Sequence, residues 1–468
     1  MEHDAGSPAA GEPARYVAAP DAPSSSSTPA AAASATATPA APPAAPPAAA
    51  AAGSASPGGF ARLARLAPGA LAASYADLCA GAWPVGPEQL PVVYHPSYNI
   101  SFFGIEKLHP FDSGKFAKVV KALKREGVLR GDGQLVTPRE ATPELLADVH
   151  TEDYLHRIHN HNFTVVQVTE LAPLAMLPNR LLQWRVVAPM RMHVGGTMLA
   201  LGLALERGWA VNVGGGMHHA SAGRGMGWCP FDDIMLGVRR ARRAVAAAEG
   251  AGAEAAAAGA AGAAVAAAGG SGTAAPGADA AVDAAAAGAA AGNGGDSGGG
   301  VGGGSLKVLV IDLDAHQGNG VEHDKLTLGD TQLFILDMYN AGVFPRDDEA
   351  KAAIDIKVEL KSGTEDDIYL NRLRAALERA ALVLPKPDLV VYNAGTDILA
   401  GDPLGRLAVS PAGVVERDEL VWRWSRDVAQ APIAMLLSGG YAKDSAAVIS
   451  TSLANLFNKF DLNPAPGA

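Results

Sequence analysis

The chain has 468 residues, a formal net charge of −11, 49% hydrophobic and 18% charged residues, 54 Gly, 32 Pro and two Cys. Segment 1–60 (Glu2, Asp4, Glu12 and Asp21 against Arg15) and segment 246–304 (Glu249, Glu254, Asp279, Asp283 and Asp296) hold −3 and −5 of that charge, leaving −3 for the rest. A near-neutral remainder excludes a phosphate-binding surface, so no direct nucleic-acid binding is expected, and two distant cysteines, Cys79 and Cys229, exclude a disulfide framework and suit a reducing compartment.

Residues 1–60 are Ala, Pro and Ser with almost nothing to bury, and are expected to be disordered. Their acidic, Pro-rich composition lacks the basic and apolar regions of a secretory signal and the Arg-rich character of a transit peptide, so nucleus and/or cytoplasm is the expected location. Residues 61–89 are read as a linker of open order. A single α/β domain is expected over 90–460, interrupted at 246–304, with 461–468 as a C-terminal tail. No 18-residue run of large apolar residues occurs, so no membrane span is expected.

Within 90–460, LPVVY (90–94) predicts a short buried strand, and 113–126 an amphipathic helix around Phe116, Val119, Val120 and Leu123. The stretch 189–206 predicts a helix ended by Arg207-Gly208, followed by a strand at 209–213 running into Gly214–Gly216. A helix at 232–243 leads into the Ala/Gly stretch 246–304, read as a disordered surface loop on the face opposite any site, with a partly helical arm as the alternative. Continuous apolar runs at LKVLVIDLDAH (306–316), QLFILDMY (332–339), PDLVVYNAGTD (387–397) and APIAMLLSGGY (431–441) read as strands buried on both faces. Helices at 367–383, 411–428 and 442–457 separate them, which implies a mostly parallel central sheet flanked by helices. The unusual polar residues all fall at the C-terminal ends of those strands, where sites form in open α/β sheets.

Asp312, Asp314 and His316 alternate at one strand end and so project to one side. Uncompensated carboxylates there are expensive, and a metal ion taking oxygen and imidazole ligands is the simplest compensation. Asp397 closes another strand; alone it would read as a turn residue, but it can supply a third ligand. His218 and His219, after three glycines, fit the base and acid that a hydrolase needs, although isolated His pairs are usually structural. Tyr441, ending SGGY, has a hydroxyl suited to a developing oxyanion, or is plain packing.

In that order His218-His219, DLDAHQGNG (312–320), NAGTDILAGDPLG (393–405) and SGGY (438–441) resemble the zinc deacetylases of the arginase-deacetylase fold. YNISFFGIEKLHPFDSGK (98–115), NVGGGMHH (212–219) and SPAGVVERDEL (410–420) resemble class IV histone deacetylases in particular. The resemblance makes 90–460 a deacetylase catalytic domain that hydrolyses N6-acyl-lysine, acetyl or longer fatty acyl, on histone or other proteins. It implies Zn²⁺ on Asp314, His316 and Asp397, with Fe²⁺ or Co²⁺ as substitutes, and admits a structural monovalent cation. His218 and His219 become the acid/base pair and Tyr441 polarises the acyl carbonyl. Asp312 orients and charges His218, whereas His219 has Asn319, an amide where class I enzymes carry Asp, and should be the less basic of the two. Gly227, Trp228 and Phe344 match the acyl-lysine channel, with Trp228 in place of the usual Phe. Cys229 is read as a small buried residue near the site, and His109 and His193 as structural. The rival readings are a deacetylase of small amines such as acetylpolyamines, and a silent acyl-lysine binding module. Corepressor partners are not readable from the residues.

Overall fold

Among the described residues, seven short strands align parallel in one sheet: β1 (Val92–Val93), β2 (Trp209–Asn212), β3 (Val308–Asp312), β4 (Leu333–Asn340), β5 (Ile356–Leu360), β6 (Leu389–Asn393) and β7 (Ile433–Leu436). They are ordered β1-β2-β7-β6-β3-β4-β5. This is the α/β architecture expected from the apolar runs. It comes from a computed structural model that describes residues 59–66, 69–83, 85–101, 104–268 and 306–463. The readings of 1–58, 269–305 and 464–468 as disordered segment, insertion and tail lie outside the described residues.

Strand parity divides the core in two. Val308, Val310, Leu389, Val391, Ala434 and Leu436 point into one cluster with helices α2 (Ala188–Arg207), α3 (Asp233–Ala268) and α4 (Asn319–Leu328). Leu309, Ile311, Val390, Tyr392, Ile433 and Met435 point into the other, with α1 (Lys115–Arg125), α5 (Asp366–Val383), α6 (Pro411–Arg423) and α7 (Ser445–Lys459). Both faces are thus covered, which is why these strands read as unbroken apolar runs. Local signals set the helix ends: Gly208 caps α2 at φ 83°, and Ser410 accepts from Gly413 N–H at 3.0 Å with Pro411 at the first turn of α6.

Several elements differ from expectation. The edge strand β5 alternates buried and exposed positions (Ile356 and Leu360 buried, Lys357 exposed), so a search for continuous apolar runs passes over it. The helix begun at 232–243 continues to Ala268, so 246–268 is helical rather than a disordered loop. Its first turns are held by buried Ala241, Ala244, Val245 and Ala248, and by Glu249 accepting from Arg62 at 2.9 Å. Beyond that, alanine, the strongest helix former, extends it. Residues 179–207 form a helical run long and apolar enough by composition to cross a membrane, but 78% of its apolar window is buried in the protein, where it is a core helix.

The segment read as a linker at 61–89 belongs to the core. Tyr75, Leu78 and Cys79 are no more than 1% exposed. The Tyr75 ring stacks on Trp83 at 5.5 Å and lies where α2 carries Gly202; a Cβ there would come within 2.7 Å of it. Arg240 of α3 donates to the Ser74 carbonyl at 2.7 Å. The contacts to Gly202 and Arg240 are between distant parts of the chain, and so leave little periodicity in 61–89 itself. Tyr75→Ala should cost about 3–5 kcal/mol, as expected for a buried aromatic. Urea denaturation checks it; a linker residue would change stability by less than about 0.5 kcal/mol.

Candidate active site

Strand order reverses between β3 and β6, which are neighbours, and the crevice beyond their C-terminal ends receives the residues that follow both. Asp314 and His316 arrive from β3 and Asp397 from β6; all three are at most 5% exposed, with one donor atom each within 4.8 Å of the others. His316 Nδ1 lies 2.8 Å from Asp397 Oδ2 and 3.1 Å from Asp314 Oδ1. The remaining oxygens are engaged outward: Asp397 Oδ1 accepts from Ala315 N–H at 2.8 Å, and Asp314 Oδ2 from Gly439 N–H at 3.1 Å and Ser438 Oγ at 3.2 Å. Gly439 has to be glycine, since a Cβ would meet both carboxylates at 2.3 and 2.6 Å. Burial and the charge of Asp314 push Asp397 up to about 7. Burial opposes the charge on Asp314 too, but His218 and His316 hold it well below the carboxylate range. Two buried carboxylates and an imidazole with inward-facing donors fit a divalent cation with open coordination positions.

His218 and His219 follow the turn at Gly214–Gly216, where Gly216 takes φ 72° and a Cβ would strike Asn393 Oδ1 at 2.2 Å. Both imidazoles are buried, 4.1 Å apart by ring centroid, and differently backed. His218 Nδ1 is 2.8 Å from Asp312 Oδ2, and Asp312 Oδ1 accepts from Asn393 Nδ2 at 3.0 Å. Burial disfavours the imidazolium of His218, but Asp312 and Asp314 outweigh it and raise it to about 9. His219 Nδ1 is 3.0 Å from Asn319 Oδ1. Burial and the neighbouring His218 and His316 push His219 well below the usual imidazole range.

Tyr441 stands with its ring 6.1 Å from that of His316, edge-on. Burial, then Asp314 and Asp397, push its phenol well above its ordinary value, so it remains a donor. A vestibule of about 390 Å³ leads to it, walled by Gly227, Trp228 and Phe344 and also reached by His219 and His316. Phe344 meets His219 at 5.1 Å, and Trp228 packs on Phe111 at 5.2 Å. An inner recess of about 60 Å³ continues past the site among Ile100, Phe111, Phe116, Met190, Met217 and Cys229. His109, expected to be structural, accepts from Phe111 N–H at 3.0 Å and also lines the vestibule, 5.4 Å from Trp228 and 6.3 Å from Tyr441. Burial pushes the Cys229 thiol well above its ordinary value, so it is a neutral packing residue.

Asp233, Asp402, Lys115 and Arg417 support the site without standing among the candidate residues of the sequence. Asp233 accepts from Gly216 N–H at 2.9 Å and Met217 N–H at 2.7 Å, holding the histidine turn. Asp402 accepts from the N–H groups of Leu404, Gly405, Tyr441 and Ala442 between 2.7 and 3.0 Å. Lys115, 1% exposed, donates to the carbonyls of Ser438 and Gly439; burial lowers it to about 8, with Asp397 and Asp314 opposing. Arg417, fully buried on α6, donates to the carbonyls of Leu313 and Gly395, just before two of the acidic residues. The pattern that would have revealed the last two is a charged residue on the buried stripe of an amphipathic helix, Lys115 beside Phe116 and Arg417 between Val414 and Val421.

Comparison with known proteins gives a consistent picture. The family profile described as "Histone deacetylase domain" matches residues 109–249 and 302–457. "Histone deacetylase 2" of Arabidopsis thaliana is 42% identical over 369 residues, 79% of each chain. "Acetoin utilization protein AcuC" of Bacillus subtilis is 25% identical over 342 residues, 68% of each chain. The solved "HDA15 HD domain" superposes with a TM-score of 0.53 at 19% identity, covering 81% of this chain and 90% of that one, a likeness of fold.

His193 is buried beneath the site and stacked on Tyr98 at 4.0 Å. Its Nδ1 accepts from Gly215 N–H at 3.1 Å while Nε2 donates to the Tyr98 carbonyl at 3.2 Å, so only the neutral ring fits. Burial lowers it to about 4. The unfolded chain protonates this ring near pH 6.5, so stability should be lost as pH falls from about 6.5 through about 4. Denaturation curves between pH 7.5 and 4.5 should show this loss, and His193→Phe should flatten the slope by about one proton.

Proposed function

The chain belongs to the histone deacetylase domain family, and from that premise we propose that it is a class IV zinc-dependent deacylase of N6-acyl-lysine in proteins, histones among them. The carrying observation is the convergence of Asp314, His316 and Asp397 with His218, His219 and Tyr441 at the end of one aromatic-walled channel. Class IV rests on the segments 98–115, 212–219 and 410–420, which supply Lys115, the histidine turn and Arg417 to this centre.

Asp314, His316 and Asp397 would hold the metal, which when bound supplies Lewis acidity toward water and the acyl oxygen. His219, neutral in its buried setting, takes the proton of the attacking water. The Tyr441 hydroxyl donates to the acyl oxygen as negative charge develops there. His218, charged through Asp312, delivers a proton to the departing lysine amine. Trp228 and Phe344 flank the apolar stem of the lysine, and Gly227 leaves room for it. The structural monovalent cation that the family resemblance admits would fit beside Asp312, Glu322 and Asp337, three buried carboxyl groups.

Two features bear on the substrate. The inner recess is lined by Ile100, Phe111, Phe116 and Met190, and so accepts acyl carbons beyond the acetyl methyl. Arg346 and Arg406 stand at the vestibule with Glu170 as the acid there, an arrangement that disfavours a free polyamine. Assays of acetyl-lysine peptide, myristoyl-lysine peptide and acetylated polyamine side by side should give the highest kcat/KM on a lysine peptide; preference for the polyamine refutes the reading. Tyr441→Phe should lower kcat about 10²–10³-fold, as for loss of an oxyanion donor. His218→Ala should lower it about 10²–10⁴-fold. Metal content by mass spectrometry should stay unchanged in both, and a fully active Tyr441→Phe enzyme would remove Tyr441 from the mechanism.

A further inference from the structure

We propose that Asp347 is a positioning residue for His219, acting through the amide of Asn319 and supplying, one residue further out, the carboxylate that this imidazole lacks. The inference rests on the assignment of His219 as the base. Asn319 Nδ2 lies 3.1 Å from Asp347 Oδ2. A carboxylate only accepts and an amide has one donor end, so the Asn319 oxygen is forced toward His219 Nδ1, 3.0 Å away. An amide oxygen only accepts in turn, so His219 donates from Nδ1. Its Nε2 is then left with a lone pair, the tautomer a base requires. Without Asp347 the amide could rotate and offer N–H to His219, which would select the opposite tautomer.

Asp347 is itself held on every side. Its N–H donates to Gln317 Oε1 at 3.0 Å and its carbonyl accepts from Gln317 Nε2 at 2.9 Å. Its carboxylate also accepts from His323 Nε2 at 2.8 Å, Ala350 N–H at 3.2 Å and Arg224 Nη2 at 3.4 Å. Gln317 directly follows His316, so one side chain ties the loop carrying Phe344 to the loop carrying a metal ligand. No sequence pattern identifies Asp347, because it joins His219 and Asn319 only in three dimensions.

A double-mutant cycle on the zinc-loaded full chain tests this. Asp347→Asn should lower kcat about 10–100-fold, the usual effect of losing such an outer partner, with KM changed less than threefold. In an Asn319→Asp background a carboxylate already faces His219, and Asp347 becomes a repulsive neighbour, so the cost of Asp347→Asn should shrink at least tenfold. Equal cost in both backgrounds, or an effect confined to KM, overturns the proposal. Asp347→Glu should retain more kcat than Asp347→Asn; the reverse also counts against it. ¹⁵N-histidine NMR, with His219 assigned by His219→Gln, should find the Nδ1–H tautomer in the wild type and a loss of it in Asp347→Asn. An Nε2–H tautomer in the wild type overturns the proposal even if no acyl substrate is turned over, so failure of the functional reading and failure of this one are separable.

Discussion

Carboxyl groups are concentrated where desolvation costs most. Asp312, Asp314, Asp397, Glu322 and Asp337 are all at most 2% exposed around the crevice between β3 and β6. Desolvating a carboxylate costs several kcal/mol unless it is matched. Backbone N–H groups of Ala315, His316 and Gly439 and the Ser438 hydroxyl match part of this charge, while Asp314 Oδ1 and Asp397 Oδ2 converge on His316 Nδ1. Among the described residues, the buried cations Lys115 and Arg417 stand nearby but form no ion pair with Asp314 or Asp397. Lys115 and Arg417 give their protons to backbone carbonyls of 438–439 and of Leu313 and Gly395, fixing the loops rather than pairing with the ligands. The charge left unmatched at the centre is therefore available to a metal ion, and the scaffold's polar interior is arranged to keep it so.

The same economy separates the two histidines. They are adjacent in sequence and 4.1 Å apart as rings, so without different backing they would compete for one proton. A carboxylate behind His218 and an amide behind His219 break that symmetry. The charged imidazole of one further depresses the other, so the division of labour is reinforced by proximity. Paired titratable groups pushed in opposite directions are how a single site supplies both an acid and a base near neutral pH.

Much of this was readable from residues because the chemistry sits at strand ends. In a parallel sheet the apolar runs mark the strands, parity aligns Asp312, Asp314 and His316, and the ends converge wherever strand order reverses. Asp397 gained weight only beside the others, since a lone Asp after a strand has no distinguishing periodicity. The unread part is long-range. Asp233, Asp402 and Asp347 act on backbone or side chains far away in the chain, and Tyr75 fills the space opposite Gly202 without leaving any repeat in its own segment. The extension of α3 to Ala268 matches the partly helical alternative to the expected loop: composition that suggests a loop is also composition that favours helix, and alanine propensity decides once a packed helix precedes it.

The vestibule shows how rigidly the substrate side is coupled to the metal side. Among the described residues, seven non-glycine positions adopt positive φ, and four of them, Glu170, Trp228, Arg346 and Arg406, line this one cavity. Each such position costs on the order of 1–3 kcal/mol and persists only where surroundings over-determine it. They do so here: Trp228 N–H donates to the Val168 carbonyl at 2.8 Å, the Arg406 carbonyl accepts from Gly363 N–H at 2.9 Å, and Arg346 precedes the residue clamped by Gln317. Of these anchors, the one beside Arg346 also reaches the centre, because Asp347 is bonded to Gln317, next to His316, and to Asn319. The Trp228 wall is set by its backbone, at φ 62° with its N–H on the Val168 carbonyl, and by the packing of its ring on Phe111, so the shape of the vestibule there depends on the segment that carries Val168.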